Sequence, residues 1–208
     1  MTELLLNTFV VLFLVVDPVG LAALFPSLAP GAGAADLRRM AVKGTLVAAA
    51  ILVGFVFLGD ALLRYLGVGL PAFRIAGGVL LFLLAIDMVF ARQSGLRSTT
   101  EREHEEAEQR RDISVFPLAI PLIAGPGTMT SILLLVSEHR GDWQVTTMLL
   151  GVLALVLGIT LVMLLAAHQV LAWLGETGAN VVSRVLGVVL AALAVQFILD
   201  GVAEAFPA

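Results

Sequence analysis

An aspartate stands before proline and glycine deep inside an apolar run, Asp17-Pro18-Val19-Gly20, and a second interruption, Gly125-Pro126-Gly127-Thr128, lies inside another. Proline removes a backbone donor and glycine weakens a helix, so each tetrapeptide ends one helical run and opens the next. The first turn of the new helix carries N–H groups with no partner in their own helix. No water reaches them in a bilayer, so such a break is tolerated only where protein or a cavity surrounds it. Helix ends of this kind attract carboxylates and other small anions. In transporters they mark the substrate site. The chemistry they point to is recognition rather than bond making.

Asp17 is a favoured N-cap and Pro18 suits the first helical position, so the pair starts a half-helix over 18–28. Gly125, Pro126 and Gly127 do the same in the other segment, with Thr128, Thr130 and Ser131 placing hydroxyls in the first turn and a half. A carboxylate at the centre of a membrane helix costs about 2.5–3.5 kcal/mol even on a lenient scale. Asp17 therefore caps its own helix, carries a proton, or meets a cation such as a substrate ammonium or a coupling ion, and these roles are compatible. Asp87 and Gln196 sit late in two other segments, as candidates for coupling or for support of the site. Arg74 and Arg184 each lie one turn into a helix, where a shared structural role is expected, such as holding carbonyls at the end of a broken segment. Asp60, Asp200 and Glu204 fit the interface, as does His168. The histidines, His104, His139 and His168, are in no ligand spacing, and cysteine is absent, so no metal or other cofactor is expected. With no G-x-S-x-G and no histidine near a break, an intramembrane enzyme is disfavoured.

These residues need membrane helices to position them. The chain has 208 residues, 60% hydrophobic and 13% charged, where a soluble domain carries about 25% charge. Its mean hydropathy is +1.04. The acidic start Met1-Thr2-Glu3 and the length of the first apolar run do not suit a signal peptide. Six segments are long enough to span: Leu4–Leu28, Gly44–Leu63, Pro71–Phe90, Ile113–Val136, Val145–Leu165 and Val181–Leu199. The fold expected is an all-α integral membrane protein. A polar connector, 92–112, separates residues 1–91 from 113–208, and charge pairing suits a surface helix over 101–111. Arg74-Ile-Ala-Gly77 recurs as Arg184-Val-Leu-Gly187, and Pro18 recurs as Pro126. Two units of three segments, each opening on a break, describe a duplication that is inverted if every segment crosses. Gly77, Gly78, Gly151, Gly158 and Gly187 are expected to admit neighbouring helices closely. Lysine and arginine concentrate on loops one, three and five, which puts the connector in the cytoplasm and both termini outside. Re-entrant hairpins for segments one and four are the rival arrangement, and the charge rule does not separate the two.

Asp17-Pro-Val-Gly20 followed by Phe25, Arg74-Ile-Ala-Gly-Gly78 leading to Asp87, Pro117-Leu-Ala-Ile-Pro-Leu-Ile-Ala-Gly-Pro-Gly127 and Val195-Gln-Phe-Ile-Leu-Asp-Gly201 resemble the MarC family of bacterial and archaeal inner-membrane proteins. The likeness runs over nearly the whole chain. It implies a six-span protein grouped with transporters of neutral amino acids. The family takes Asn or Asp before the first proline, where this chain has Asp17. A secondary transporter or exporter of small zwitterions, alanine or glycine, is the leading expectation, coupled to protons or sodium because no nucleotide-binding motif is present. A protein that handles lipids or lipid phosphates is the alternative. The partners expected are the bilayer, the zwitterion and, as an open question, further copies of the chain. The net charge of −4 gives no reason to expect nucleic acid.

Overall fold

The structure, a computed structural model, describes residues 1–90, 112–139 and 141–206. The surface helix expected over 101–111, most of the connector's charges and Arg140 lie outside the described residues. The described chain is helical throughout. Helix α1 (Thr2–Val16) runs into α2 (Pro18–Leu28) with only Asp17 between them, and the two form one span of 27 residues. Helix α3 (Ala34–Tyr65) has 32 residues, or about 48 Å, and so projects beyond the hydrocarbon. Helix α4 (Leu70–Phe90) follows.

The second broken segment differs from the first. Its opening half, α5 (Ser114–Ile123), is a wide, irregular helix, held by Leu118 N to Ile113 O (3.1 Å) and Ala124 N to Ala119 O (2.8 Å). Pro117 and Pro121 cannot donate, and each pushes the residue before it out of the helical region. Phe116 (φ −133°, ψ 128°) and Ile120 (φ −127°, ψ 127°) are accordingly extended. The loosening thus begins well before the Gly-Pro-Gly break. Helix α6 (Pro126–Glu138) leaves α5 at 53°, a bend compatible with a broken span or a re-entrant loop. Helix α7 (Trp143–Leu165) is capped by Asp142, which accepts from Gln144 N and Val145 N. Helix α8 (Ala167–Ala205) turns at Gly175 (φ 64°), so its spanning part is Thr177–Ala205 and exposed His168 lies on the short stretch before it. Among the described residues five helices, or six when the bent pair counts as one, are long and apolar enough to cross a membrane, matching the segments read from the sequence.

Packing runs between the halves of the chain more than within them. Helix α3 lies against α5 and α6, α7 lies against α1 and α2, and α4 runs along α8. The α4–α8 seam is antiparallel and close: a Cβ on Gly78 would come within 2.8 Å of Ala194 O, and one on Gly187 within 2.8 Å of Met88 Cβ. Gly77 seats a side chain of α6 in the same way. Gly151 and Gly158 do not behave as expected, for they open onto space with nothing near. The largest core gathers Leu12, Val16, Leu21 and Phe25 from the first broken span with Leu118, Ile123 and Ile132 of the second.

Candidate functional site

Asp17 is 1% exposed and adopts the left-handed conformation, φ 50° and ψ 66°. Most L-residues are strained there, whereas Asp and Asn tolerate it, which accounts for the residue types that suit this position. Its N–H closes α1 on Phe13 O (2.9 Å), and its own carbonyl accepts from Leu21 N (3.0 Å) to begin α2. One carboxyl oxygen, Oδ1, accepts from Gly20 N at 3.0 Å. The other, Oδ2, accepts from Ser183 Oγ on α8 at 3.3 Å. The cap role read from the sequence is therefore present. Gly20 is what lets the carboxyl fold back, since a Cβ there would overlap Asp17 Oδ2 and stand 2.8 Å from Ser183 Oγ.

The start of α6 is built differently. Gly125 caps it without a side chain. Gly127 and Thr128 precede the first backbone bond, Met129 N to Gly125 O, so their N–H groups open onto the break. Thr128 Oγ1 turns back to donate to Ile123 O (2.9 Å), satisfying a carbonyl freed by α5. Thr130 rests its methyl on Gly77 of α4. Ser131 is fully buried, and its hydroxyl has no partner among the described residues. A cavity of about 10 Å³ lies against Val15, Leu84, Pro121 and the Gly125–Thr128 turn, room for about one water.

The two breaks meet. Val15, two residues before Asp17, lies where a Cβ on Gly127 would come within 3.2 Å of it, with Leu81 and Leu84 of α4 equally close. The ends are unequal, however. At α2 the positive end is already covered by the chain's own carboxylate, whereas at α6 it carries no acid. Of the two helix starts, that of α6 alone is left without a side-chain cap.

The other candidates lie further off. Asp87 is half-buried on α4, one turn beyond Leu84. Gln196 is on the exposed face of α8, donating to Asp200 (2.7 Å). Arg184 is exposed on α8. Arg74 is 12% exposed and binds carboxylates rather than carbonyls: Glu138 at 2.5 Å, the last residue of α6, and Glu204 at 3.3 Å on α8. At the far end of the broken segment Lys43 of α3 pairs with Asp112 at 2.5 Å, just before α5. The ammonium, then the Ser114 hydroxyl and N–H, hold the Asp112 carboxyl down at about 2. Both ends of α5–α6 are thus tied by charge to helices of the first half. Among the described residues no group of His, Cys, Asp and Glu is placed to hold a metal.

Ser183 and the pairing of Glu138 with Arg74 are absent from the sequence reading. Ser183 sits beside Arg184 in an apolar helix start, and only tertiary packing aims it at Asp17.

The description MarC family integral membrane protein matches residues 2–206. The chain is 32% identical over 207 residues to UPF0056 membrane protein YvbG of Bacillus subtilis, covering all of this chain and 98% of that one. It is 36% identical over 206 residues to a UPF0056 membrane protein of Aquifex aeolicus, covering 95% and 92%. It is 33% identical over 198 residues to UPF0056 inner membrane protein YhgN of Escherichia coli K12, covering 95% of each. No solved structure matches.

Proposed function

Since this chain belongs to the MarC family of integral membrane proteins, we propose for it the function that its two breaks support: secondary transport or export of small neutral amino acids across the inner membrane. The observation that carries this reading is the uncapped start of α6 lying against the α1–α2 break, with Asp17 two residues from the contact. A zwitterion needs a donor pair for its carboxylate and an acceptor for its ammonium. Gly127 N and Thr128 N supply the first, in a setting where a helix end favours negative charge. Asp17 Oδ2 and the carbonyls of the break supply the second. The present cavity has room for about one water, so the substrate enters by separating the break from α1 and α4, and alanine or glycine asks for the least separation.

The reading gives the protein transport and no bond-making step. Coupling is to a proton or sodium gradient, and Asp17 is the buried group whose charge a cation would meet. The reciprocal packing of α3 on α5–α6 and of α7 on α1–α2, with α4 antiparallel to α8, supports an inverted repeat, and the lysine and arginine of loops one, three and five favour termini outside. In that arrangement the Lys43–Asp112 pair is the inner tie of the second broken segment, and Arg74 with Glu138 and Glu204 is the outer one. Opening one while the other holds exposes the site to one side at a time.

Proteoliposomes test the function directly. Labelled alanine and glycine are expected to accumulate under a proton or sodium gradient and to leak no faster than from empty vesicles without one. A panel of small amino acids that moves no faster than in empty vesicles under any gradient refutes it. Single cysteines at residues 2 and 205 test the orientation, and labelling of both from the cytoplasm alone refutes outside termini.

A further inference from the structure

The first turns of α3 carry Arg38, Arg39 and Lys43, all exposed. Lys43 is held by Asp112. Arg38, Arg39 and the exposed acid beside them, Asp36, enter no ion pair among the described residues. On the same side of the helix the surface turns apolar at once. Val42 is exposed, Leu46 is 65% exposed, and exposed side chains continue to Phe57 at 51%. Val42 to Phe57 is about 22 Å of helix, longer than the roughly 15 Å of one hydrocarbon leaflet. Two unpaired guanidinium groups at the water boundary therefore stand directly above an apolar lane long enough for an acyl chain.

We propose that this face of α3 seats one anionic phospholipid of the leaflet where the chain's arginine and lysine concentrate, its phosphate on Arg38 and Arg39 and its acyl chains along Val42, Leu46 and Phe57. Guanidinium groups suit the phosphate because their planar donors engage it in pairs. Lys43 stays with Asp112 and adds only to the local potential. The site lies on the outer surface of α3, away from the two breaks, and holds whether or not the protein moves amino acids.

Native mass spectrometry of the delipidated full-length protein in detergent, titrated with phosphatidylglycerol and phosphatidylcholine, tests it. A cation near the membrane surface is worth about fivefold in affinity for an anionic lipid, so two give about thirtyfold preference for phosphatidylglycerol. Arg38→Gln with Arg39→Gln is expected to bring that preference close to one, and each single variant to about fivefold. Arg64→Gln removes an exposed arginine paired to Asp60 at the other end of α3 and leaves the preference intact. Soluble glycerol 3-phosphate, lacking acyl chains, does not bind at concentrations where the lipid saturates. Equal binding of the two lipids by the native protein overturns the proposal, as does preference that survives the double variant or falls equally in Arg64→Gln. Should the double variant not fold, the two single variants carry the test. Binding of glycerol 3-phosphate as tight as that of the lipid overturns the apolar lane.

Discussion

Replacing Asp17 separates three terms that the structure superimposes at one residue: a left-handed backbone, a cap on Gly20 N, and a charge. Asparagine tolerates φ 50° and presents an oxygen to Gly20 N in the same place, while its amide can donate to Ser183, whose hydroxyl turns from donor to acceptor. Asp17→Asn is therefore expected to lose less than about 1 kcal/mol, since Asn and Asp are comparable caps. Glycine accepts the backbone but leaves Gly20 N–H buried and unpartnered, which costs about 1–3 kcal/mol. Alanine adds to that the left-handed penalty of about 1–2 kcal/mol, for a total of about 2–5. The order expected is Asp and Asn, then Gly, then Ala. Unfolding of the reconstituted protein from mixed micelles, followed by the fluorescence of Trp143 and Trp173, measures it. Alanine as stable as asparagine would refute both the strain and the cap, and glycine below alanine would refute the strain. Transport then isolates the charge. Asp17→Asn is expected to abolish gradient-driven accumulation while leaving the fold intact, and unchanged transport with unchanged pH dependence reduces Asp17 to a cap and moves the coupling site to Asp87.

Pro126→Ala alone is expected to change stability by less than about 1 kcal/mol, because the proline at the first helical position gives up an N–H that had no helical partner. Gly127→Ala puts a methyl 3.1–3.2 Å from Leu81, Leu84 and Val15; substrate binding is expected to fall at least tenfold with the protein still folded, and calorimetric titration with alanine or glycine that shows native affinity refutes the site. Asp112 has a lowered pKa, so its pairing with Lys43 stabilises the protein fully above about pH 4 and loses its contribution as pH falls towards 2. The stability difference between native protein and Asp112→Asn is expected to be flat from pH 8 to 5 and to shrink below 4; a difference that shrinks above pH 5 contradicts the assignment. Arg74→Lys keeps the charge but offers one ammonium for two carboxylates, so a cysteine placed at Val136 is expected to react several-fold faster with a water-soluble maleimide, and an unchanged rate removes Arg74 as a tie.

What the sequence made legible are the features with a local cause. Proline directly after a capping residue suits the first helical position, so Asp17-Pro18 and Gly125-Pro126-Gly127 mark the helix restarts from their own residues, and Asp17 announces its cap. The loosening of α5 was written just as locally, in Pro117 and Pro121 and the residues before them, but an apolar run of helical length hides it when only periodicity is weighed. Three other features have causes that lie far along the chain. Ser183 reaches Asp17 across 166 positions, Arg74 finds Glu138 and Glu204 through the packing of three helices, and Gly151 differs from Gly78 only in the face it occupies. The consequence for function follows from comparing the two breaks themselves. Written out, they already differ in the residue before the proline, Asp17 in one and Gly125 in the other, but their contact across the fold is not written there. Folded, one end is closed by an acid that Gly20 makes room for, and the other is left bare beside it. In the function proposed above that inequality supplies a polarity, carboxylate towards α6 and ammonium towards Asp17, and a polarity of that kind is what a zwitterion requires and a simple anion does not.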